Sequence, residues 1–268
     1  IIKPLLWIYN PHFIDFISSR YSALKVYHAT EDYFCPDHFP VHDKQVERLY
    51  KKLRTVLKFV DLLVSVSQGV ENNYIQIGRY VGEKIVLENG CDFQFFELDQ
   101  EEKQKIITGS KWGKQNIAFY QGGINYRLNL GLIYALAQNM PDWIFLFCGN
   151  LNTNNIFWDK ILGLKNCHYL GLLGPEKIKE IAHSSTVGLI PFEEFEHITK
   201  SSLPLKAFEY VACGLPVVSV QIEALLKHSD VFNFAQTVDE FEQQIRKAAL
   251  TRFEDSHILL RQQKARAQ

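Results

Sequence analysis

Short apolar runs alternate with helical segments along nearly the whole chain, and this alternation limits the fold more than any other feature. Runs such as NIAFYQGG (116–123), DWIFLFCGN (142–150) and TVGLIPF (186–192) have the length of strands and are apolar at consecutive positions. Strands that are buried on both faces of a parallel sheet have this composition, and helices provide the crossovers between them. The sequence therefore predicts an α/β fold with parallel sheets.

The strands fall into two series, separated by a polar stretch at 97–115. We expect two doubly wound, Rossmann-like domains that face a cleft: an N-terminal domain at 1–95 and a second domain at 96–250, followed by the start of a C-terminal helix at 251–268. Because the chain opens inside an apolar run and ends in a charged helical stretch, we expect a fragment with an incomplete N-terminal domain. In such sheets ligands bind beyond the carboxyl ends of the strands.

Composition excludes several classes of function. The 268 residues carry 29 basic and 30 acidic side chains, so a net charge of −1 argues against bulk electrostatic binding of nucleic acid. The five cysteines are scattered without a CxxC pair, which favours buried free thiols in a reducing compartment. The sequence contains no HExxH, no DxD-like acidic pair and no Cys/His spacing, so neither a metal site nor a cofactor is predicted.

One helix carries an unusual polar face. In SSLPLKAFEYVACGLPVVSV (201–220), Ser201 or Ser202 is expected to cap a helix that stops at Gly214, with Lys206 and Glu209 on one side. A helix start with free N–H groups and a cation one turn in suits a phosphate. The alternative is a surface helix with a solvated Lys/Glu pair.

Three further segments are open to two interpretations. In YQGGINYRLN (120–129), Gly122, Gly123 and Arg127 suit a pyrophosphate, or they form a plain turn with a surface arginine. In VYHATEDY (26–33), His28 and Asp32 stand where a catalytic base would face a cleft, or they are ordinary loop residues. The helix at 43–60 has a basic face, with Lys51, Lys52, Arg54 and Lys58 on its exposed side, that either touches a membrane or is simply solvated.

Several stretches, taken in order, resemble a known family. IVLENGCD (85–92), IAFYQGGINYRLNLGLIYALAQNMPDWIFLFCGN (117–150), NCHYLGLLGPEKIKEIAHSSTVGLIPF (166–192) and SSLPLKAFEYVACGLPVVS (201–219) are similar to segments of family 4-type glycosyltransferases with the GT-B fold, in the broad group 1 class. The resemblance covers about 85–240, with a looser match over 5–85.

The resemblance implies a nucleotide-sugar donor, such as a UDP- or GDP-sugar, that binds without a metal. It makes the N-terminal domain the acceptor side and assigns the diphosphate to Gly122, Gly123, Arg127, Ser201, Ser202 and Lys206, and the ribose hydroxyls to Glu209. The Thr199 hydroxyl is a further candidate donor for the phosphate oxygens because of its chemistry. It also implies a glycan or lipid-linked acceptor, a hexosyl transfer in polysaccharide or glycolipid biosynthesis, and a cytoplasmic protein, with or without peripheral contact with the inner face of the membrane. His28 and Asp32 are the candidate catalytic residues.

The sequence departs from the family pattern at two positions. Many members carry two glutamates with seven residues between them; the second matches Glu209, but the first falls at Ser201, so its role has no owner unless Glu193, Glu194 or Glu196 takes it. A lysine that often accompanies Arg127 is also missing. A non-catalytic nucleotide-sugar-binding relative and a sugar-nucleotide epimerase on a GT-B-like fold are therefore the alternatives, and whether the transfer retains or inverts the sugar configuration stays open.

Overall fold

The two series of strands form two parallel sheets in the computed structural model, which describes residues 4–18, 24–35, 37 and 38, 44–112 and 115–268. In chain order the strands are β1 (Leu5–Ile8), β2 (Leu24–Ala29), β3 (Leu62–Ser65), β4 (Glu83–Val86), β5 (Asn116–Gln121), β6 (Trp143–Cys148), β7 (Cys167–Tyr169), β8 (Val187–Ile190), β9 (Val217–Ser219) and β10 (Phe232–Phe234). The predicted α/β fold with parallel sheets is confirmed.

The helices connect these strands. They are α1 (Lys44–Leu57), α2 (Gln68–Gln76), α3 (Phe93–Phe96), α4 (Gln100–Gly109), α5 (Leu130–Asn139), α6 (Ile156–Leu162), α7 (Pro175–Ser184), α8 (Glu196–Thr199), α9 (Leu205–Ala212), α10 (Glu223–Leu226), α11 (Val238–Leu250) and α12 (Asp255–Ala267). A 3-10 helix at Pro11–Ser18 follows β1. No helix of the described residues is both long enough and apolar enough to cross a membrane.

The chain divides into two compact units. The first comprises the described residues of Ile1–Asn89 together with Glu194–Leu203 and Ile222–Ala224, and the second comprises Gly90–Glu193, Pro204–Gln221 and Leu225–Gln268. The segment 194–203 thus folds with the first unit, although the chain on either side of it folds with the second. Sequence order alone would have placed it in the second series.

The first unit contains the sheet β1-β2-β3-β4, whose strands follow one another in sequential order. The 3-10 helix and α1 pack together against its core, and α1 buries Val46, Tyr50, Leu53, Val56 and Leu57. These positions repeat at helical spacing, so one face of α1 is apolar while the others carry the charges. Tyr74 of α2 completes the core through an edge contact with Phe34, whose ring centroid lies 4.9 Å away.

The second unit contains the sheet β10-β9-β8-β5-β6-β7. Its strand order reverses between β8 and β5, since the chain builds outward on one side to β7 and then returns to add β8, β9 and β10 on the other. In the central strand, Phe119 lies opposite Leu146 of β6 and Gly188 of β8. This is the doubly wound arrangement, and the reversal creates a topological switch point at the ends of β5 and β8.

The polar stretch predicted at 97–115 contains a helix that the sequence analysis did not identify. Asp99 accepts a hydrogen bond from the Glu102 amide at 2.8 Å, and the Glu102 carboxylate accepts one from the Asp99 amide at 3.2 Å. This reciprocal pair is a capping box, which satisfies two donors at the start of α4. The start of α4 could have been predicted from the sequence, because an Asp followed three residues later by a Glu is typical of a capping box.

Candidate nucleotide-diphosphate site

The strongest candidate site lies in the second unit at its topological switch point. Strand β5 ends at Gln121, directly before Gly122, and β8 ends at Ile190, shortly before Phe192. A short antiparallel bridge between Leu128 and Phe192 ties the two strand exits together. Because parallel α/β sheets bind ligands beyond the carboxyl ends of the strands at such a reversal, these exits are where a ligand is expected.

Helix α9 is fixed to this part of the sheet by Tyr210. The Gln121 amide donates to the Tyr210 hydroxyl at 2.8 Å, and that hydroxyl donates to the Phe119 carbonyl at 3.3 Å. The Tyr210 ring lies directly over Gly188, where a Cβ would come within 2.5 Å of the ring. The absence of a side chain on Gly188 therefore lets α9 pack close to β5 and β8.

Lys206 lies in the first turn of α9 and points toward the end of β5. Its ammonium Nζ is 4.0 Å from the ring centroid of Tyr120 and 4.8 Å from that of Phe192. Both distances are in the range of cation–π attraction. Among the described residues no carboxylate or hydrogen-bond acceptor reaches Lys206 within bonding distance. Burial lowers the pKa of Lys206 to about 7, while the charge of Glu209 opposes that shift.

Gly122 leaves room for this ammonium. Its φ of +133° is a conformation that side-chain-bearing residues rarely adopt. A Cβ on Gly122 would stand 2.5 Å from the Lys206 Nζ, so any larger residue would displace the cation. Gly149 has a φ of +135°, and a Cβ on it would lie 2.0 Å from the Gly122 carbonyl oxygen, so the two backbones are in close contact. Two backbones and one cation thus come close together at this turn.

Glu209 lies one turn further along α9. Its carboxylate accepts a hydrogen bond from the Gln121 side-chain amide. Burial raises the pKa of Glu209, and the Gln121 hydrogen bond and the Lys206 charge oppose the shift. A carboxylate oriented in this way can accept hydrogen bonds from a diol.

Arg127 belongs to the same region as Lys206. Its amide donates to the Asn125 side chain at 3.0 Å, and its carbonyl accepts the Glu193 amide at 2.8 Å. The guanidinium carbon lies 5.9 Å from the ring centroid of Tyr126. Its positive charge is near enough to Lys206 to contribute to the lowered pKa of that lysine. The two predicted cations thus lie on one side of the second unit.

The predicted helix cap at Ser201 or Ser202 is wrong. Helix α9 begins at Leu205 with Pro204 as its N-cap and has no side-chain cap. The short helix α8 precedes it, and the Ser202 hydroxyl donates back to the Ile198 carbonyl at 2.7 Å. Proline fixes φ near the helical value and lacks an N–H, so the new helix starts after it.

Thr199, Ser201 and Ser202 fold with the first unit. The Thr199 hydroxyl donates to the Phe195 carbonyl at 3.1 Å, and the Ser201 hydroxyl donates to Asp32 at 2.5 Å. All three hydroxyl protons are therefore used inside the first unit. Their predicted role in binding phosphate stays a prediction.

Asp32 is buried and fully hydrogen-bonded. Its carboxylate accepts from Ser201, from the Asn73 side chain at 2.7 Å, and from the amides of Phe34 and Cys35 at 3.2 and 3.1 Å. Burial raises the pKa of Asp32, and these bonds oppose the shift. Its surroundings are those of a carboxylate that holds loops together, and its catalytic role stays a prediction.

His28 lies near the end of β2, and its ring stands edge-on to Trp7 with the centroids 5.9 Å apart. Its Nε2 is buried without a hydrogen-bond partner among the described residues, and burial lowers the pKa of the imidazole. A neutral imidazole can accept a proton. The role of His28 as a catalytic base stays a prediction.

Asp37, which the sequence pattern did not indicate, anchors segment 194–203. Its carboxylate accepts the Glu196 amide, the His197 amide at 2.9 Å and the His197 ring Nδ1–H at 2.9 Å. It thereby caps α8 from a distant part of the chain. No sequence signal linked these residues, because they are about 160 positions apart. Of the candidates for the missing glutamate, Glu196 pairs with Lys200 at 2.6 Å.

The chain is similar in sequence to glycosyltransferases. Residues 126–250 match the sequence profile of the family described as "Glycosyl transferases group 1". TuaH from Bacillus subtilis (strain 168), named as a glycosyltransferase of teichuronic acid biosynthesis, is 24% identical over 233 residues. That alignment covers 83% of the chain and 56% of TuaH, so the chain spans little more than half of this relative.

Solved structures share the fold at low sequence identity. Sucrose-phosphate synthase from Thermosynechococcus elongatus matches with a TM-score of 0.76 and 14% identity, over 98% of this chain and 69% of that one. HepE from Anabaena in complex with UDP matches with a TM-score of 0.74 and 16% identity, over 98% of this chain and 74% of that one. WaaG, a glycosyltransferase of lipopolysaccharide biosynthesis, matches with a TM-score of 0.71 and 14% identity, over 91% of this chain and 71% of that one. The chain thus has the GT-B fold of these glycosyltransferases, and its residues 126–250 match the Glycosyl transferases group 1 family model.

Proposed function

We propose that the second unit binds the diphosphate of a nucleotide-sugar donor and that the protein transfers the sugar to a hydroxyl group of a glycan or lipid-linked acceptor. The observation that carries this proposal is the Lys206 ammonium, which stands at the switch point beside Gly122, where no carboxylate of the described part of the chain comes within bonding distance. A desolvated cation of this kind gains most from a ligand that brings negative charge.

In the proposed transfer, negative charge develops on the departing nucleoside diphosphate. The acceptor oxygen forms a bond to the anomeric carbon of the sugar while the bond from that carbon to the terminal phosphate oxygen breaks. The acceptor proton leaves to a base or to the departing phosphate, and the nucleoside diphosphate takes up the negative charge. We assign the stabilisation of that charge to Lys206, to Arg127 and to the first turn of α9, which has no side-chain cap.

The remaining donor contacts belong to the same proposal. Glu209 accepts hydrogen bonds from the ribose hydroxyls, exchanging its bond with Gln121 for them. The backbone at Gly122 and Gly123 approaches the phosphates. We assign charge neutralisation to these protein groups and not to a divalent ion. UDP is the nucleotide we favour, since HepE was solved with UDP and with UDP-glucose.

The setting of the reaction is inferred from chemistry and relatives. Family 4 membership, hexosyl transfer and a role in making a cell-surface polysaccharide are part of the proposal, supported by the names of TuaH and WaaG. A cytoplasmic location is also proposed: all five cysteines are free thiols, and four of them are buried.

Calorimetry with UDP, UDP-glucose and GDP tests the donor site. Wild type is expected to bind a uridine nucleotide equally well with and without EDTA, and Lys206→Met is expected to lose about tenfold or more in affinity. Lys165→Met, a surface lysine of the same unit, serves as the matched control. If Lys206→Met binds as tightly as wild type, the assignment fails, and a requirement for Mg²⁺ or Mn²⁺ would refute the metal-free mechanism.

A non-catalytic nucleotide-sugar-binding protein is the second candidate. It is favoured by Ser201, which stands where many members of the family carry a glutamate and whose hydroxyl is bonded to Asp32. Transfer assays with radiolabelled UDP-sugars and a panel of glycan and lipid acceptors separate the two. Donor binding without transfer and without donor hydrolysis would establish the non-catalytic function.

A further inference from the structure

A buried glutamine ends the central strand of the second unit. Strand β5 reads NIAFYQ, and its last five residues are all buried. Gln121 is the only one of these five whose side chain carries an amide or a charge, and it is 5% exposed. A buried amide costs free energy unless hydrogen bonds replace the water that it loses. The side chain of Gln121 therefore needs a structural partner or a functional reason.

Gln121 contacts two successive residues of α9. Strand β5 pairs with β8 at Ala118 and Phe119, and beyond that pairing the Gln121 amide donates to the Tyr210 hydroxyl at 2.8 Å. Its side-chain Nε2 donates to the Glu209 carboxylate. The side-chain Oε1 is buried and has no hydrogen-bond partner among the residues that the structure describes. The backbone of Gln121 thus already ties β5 to α9, and its side chain acts on Glu209 alone.

Lys206 and Glu209 are three residues apart on α9, yet they do not form an ion pair. Opposite charges at this spacing are neighbours on a helix surface, and on α7 the equally spaced Lys177 and Glu180 pair at 2.5 Å. In α9, where the structure describes both side chains, no nitrogen–oxygen distance of 4.0 Å or less joins them. Each nevertheless shifts the pKa of the other, so the two charges are close together. Something other than distance along the helix keeps them apart.

We propose that Gln121 is a positioning residue of the donor site: its side-chain amide holds the Glu209 carboxylate away from the Lys206 ammonium, so that both charges are available to the donor. A direct ion pair would cancel the cation assigned to the diphosphate and occupy the carboxylate assigned to the ribose. Once the diphosphate occupies Lys206, Glu209 can exchange its bond with Gln121 for the ribose hydroxyls without closing on the lysine. This inference rests on the proposed donor site and adds a residue to it.

The unbonded Oε1 of Gln121 separates this role from a purely structural one. A buried acceptor without a donor costs free energy, and a methionine of similar length would fill the same space without that cost. In Gln121→Met the Glu209 carboxylate also loses its partner and turns to Lys206. Both changes favour the folded state, so the variant is expected to be at least as stable as wild type. A glutamine that served only the fold would give the opposite result.

Calorimetry with UDP and urea unfolding test the proposal together on the full chain. Gln121→Met is expected to bind UDP about tenfold or more weakly than wild type, while its urea midpoint stays equal or rises. Gln262→Met is the matched control, because the Gln262 amide donates to the Ala212 carbonyl at 3.4 Å, at the far end of α9. This control is expected to keep its UDP affinity. Unchanged affinity in Gln121→Met, or a lower urea midpoint, would overturn the proposal.

A double-mutant cycle shows whether Gln121 acts through Glu209. The Glu209→Gln variant has no carboxylate that could close on Lys206, so adding Gln121→Met to it is expected to weaken UDP binding by less than about twofold. The same change in the wild-type background weakens binding about tenfold or more, so the two substitutions are not additive. A full loss in the Glu209→Gln background would mean that Gln121 acts independently of Glu209, and the positioning role would fail.

A titration of the lysine by NMR needs no nucleotide. The groups that act on the Lys206 ammonium are Glu209 on the same helix, Cys148 at the end of β6 and Arg127 after β5, and burial lowers its pKa to about 7. In Gln121→Met the carboxylate stands beside the ammonium, so its titration is expected to move to higher pH.

The two measurements also separate this inference from the donor site on which it rests. A wild-type protein that binds no UDP would refute the donor site together with the role of Gln121. A protein that binds UDP but whose Lys206 titrates at the same pH in wild type and Gln121→Met would refute the role of Gln121 alone.

Discussion

The Lys206 ammonium occupies the space that a side chain on Gly122 would need. A Cβ built on Gly122 would lie 2.5 Å from the Lys206 Nζ, and the φ of this glycine is +133°. The glycine of the turn and the lysine of α9 are therefore one structural feature, although 84 positions separate them in the sequence. Any change at Gly122 acts on the cation as well as on the backbone.

We expect Gly122→Ala to impair both folding and donor binding. The methyl group forces the lysine aside and places a side chain in a region of φ that costs about 1–3 kcal/mol. Chemical denaturation should show a loss of that size, and calorimetry should show uridine nucleotide affinity lower by about tenfold or more. Gly109→Ala is the control, since a Cβ on Gly109 meets nothing within 4 Å. Unchanged nucleotide affinity in Gly122→Ala would contradict the close packing described here.

Donor binding should be accompanied by uptake of a proton. Burial lowers the pKa of Lys206 from 10.5 to about 7, with Glu209 and Cys148 opposing the shift and Arg127 adding to it. A bound diphosphate favours the charged ammonium and raises this pKa again, so the affinity for UDP is expected to fall as the pH rises above about 7. Calorimetry of UDP binding at pH 8 in buffers of different ionisation enthalpy measures the uptake.

Lys206→Arg provides the control for this proton uptake. Arginine keeps its charge at all pH values used, so the variant is expected to bind UDP without uptake of a proton. The same lysine also affects stability. Its pKa is lower in the folded than in the unfolded chain, so the unfolded state holds more protons between about pH 7 and 10.5, and stability contributed by Lys206 rises with pH across that window. Equal uptake in wild type and Lys206→Arg would assign the proton to another group.

The sequence could suggest candidate site residues only where a single element supplied the signal. Gly122 and Lys206 were predicted because a strand ends at the first and a helix begins near the second. The aromatic surroundings of Lys206 were not predicted, because the directions of the Tyr120 and Phe192 rings depend on how β5, β8 and α9 pack. Segment 194–203 was placed with the wrong series of strands, since its partners Asp32 and Asp37 are remote in sequence and only the folded chain brings them together.

Replacing Asp32 is expected to destabilise the first unit. Asp32→Ala leaves the Ser201 hydroxyl, the Asn73 side-chain amide and the Phe34 amide without their carboxylate acceptor, while the Cys35 amide keeps only its bond of 3.3 Å to the backbone carbonyl of residue 32. Each orphaned buried group costs about 1–3 kcal/mol, so a total loss of at least about 2–4 kcal/mol is expected in urea unfolding. Asp159→Ala, an exposed aspartate, should change stability by less than about 0.5 kcal/mol. A variant that keeps full stability but loses catalysis would identify Asp32 as the catalytic base instead.

Arg252 is expected to be one of the most sensitive positions of the second unit. Its buried guanidinium donates to the carbonyls of Ser185 at 2.8 Å, His183 at 2.9 Å and Gly214 at 3.3 Å, which stand at the ends of α7 and α9. These carbonyls lack partners within their own helices. A cation near the carboxyl end of a helix also interacts favourably with the helix dipole. Arg252→Met keeps most of the apolar stem but leaves the Ser185 and His183 carbonyls unpaired, while Arg261 still donates to the Gly214 carbonyl at 3.0 Å. A loss of about 2–4 kcal/mol is therefore expected in urea unfolding.

Arg266→Met is the matched control for Arg252→Met. Arg266 is an exposed arginine of α12 that pairs with Glu97 at 3.2 Å, and exposed ion pairs contribute about 0–1 kcal/mol. Because Arg252 holds the carboxyl end of α9, its replacement should also loosen the helix that carries Lys206. We therefore expect UDP affinity to fall in Arg252→Met even under conditions where the protein stays folded. If stability falls while UDP affinity is unchanged, the amino end of α9 is held independently, through Tyr210 and the sheet.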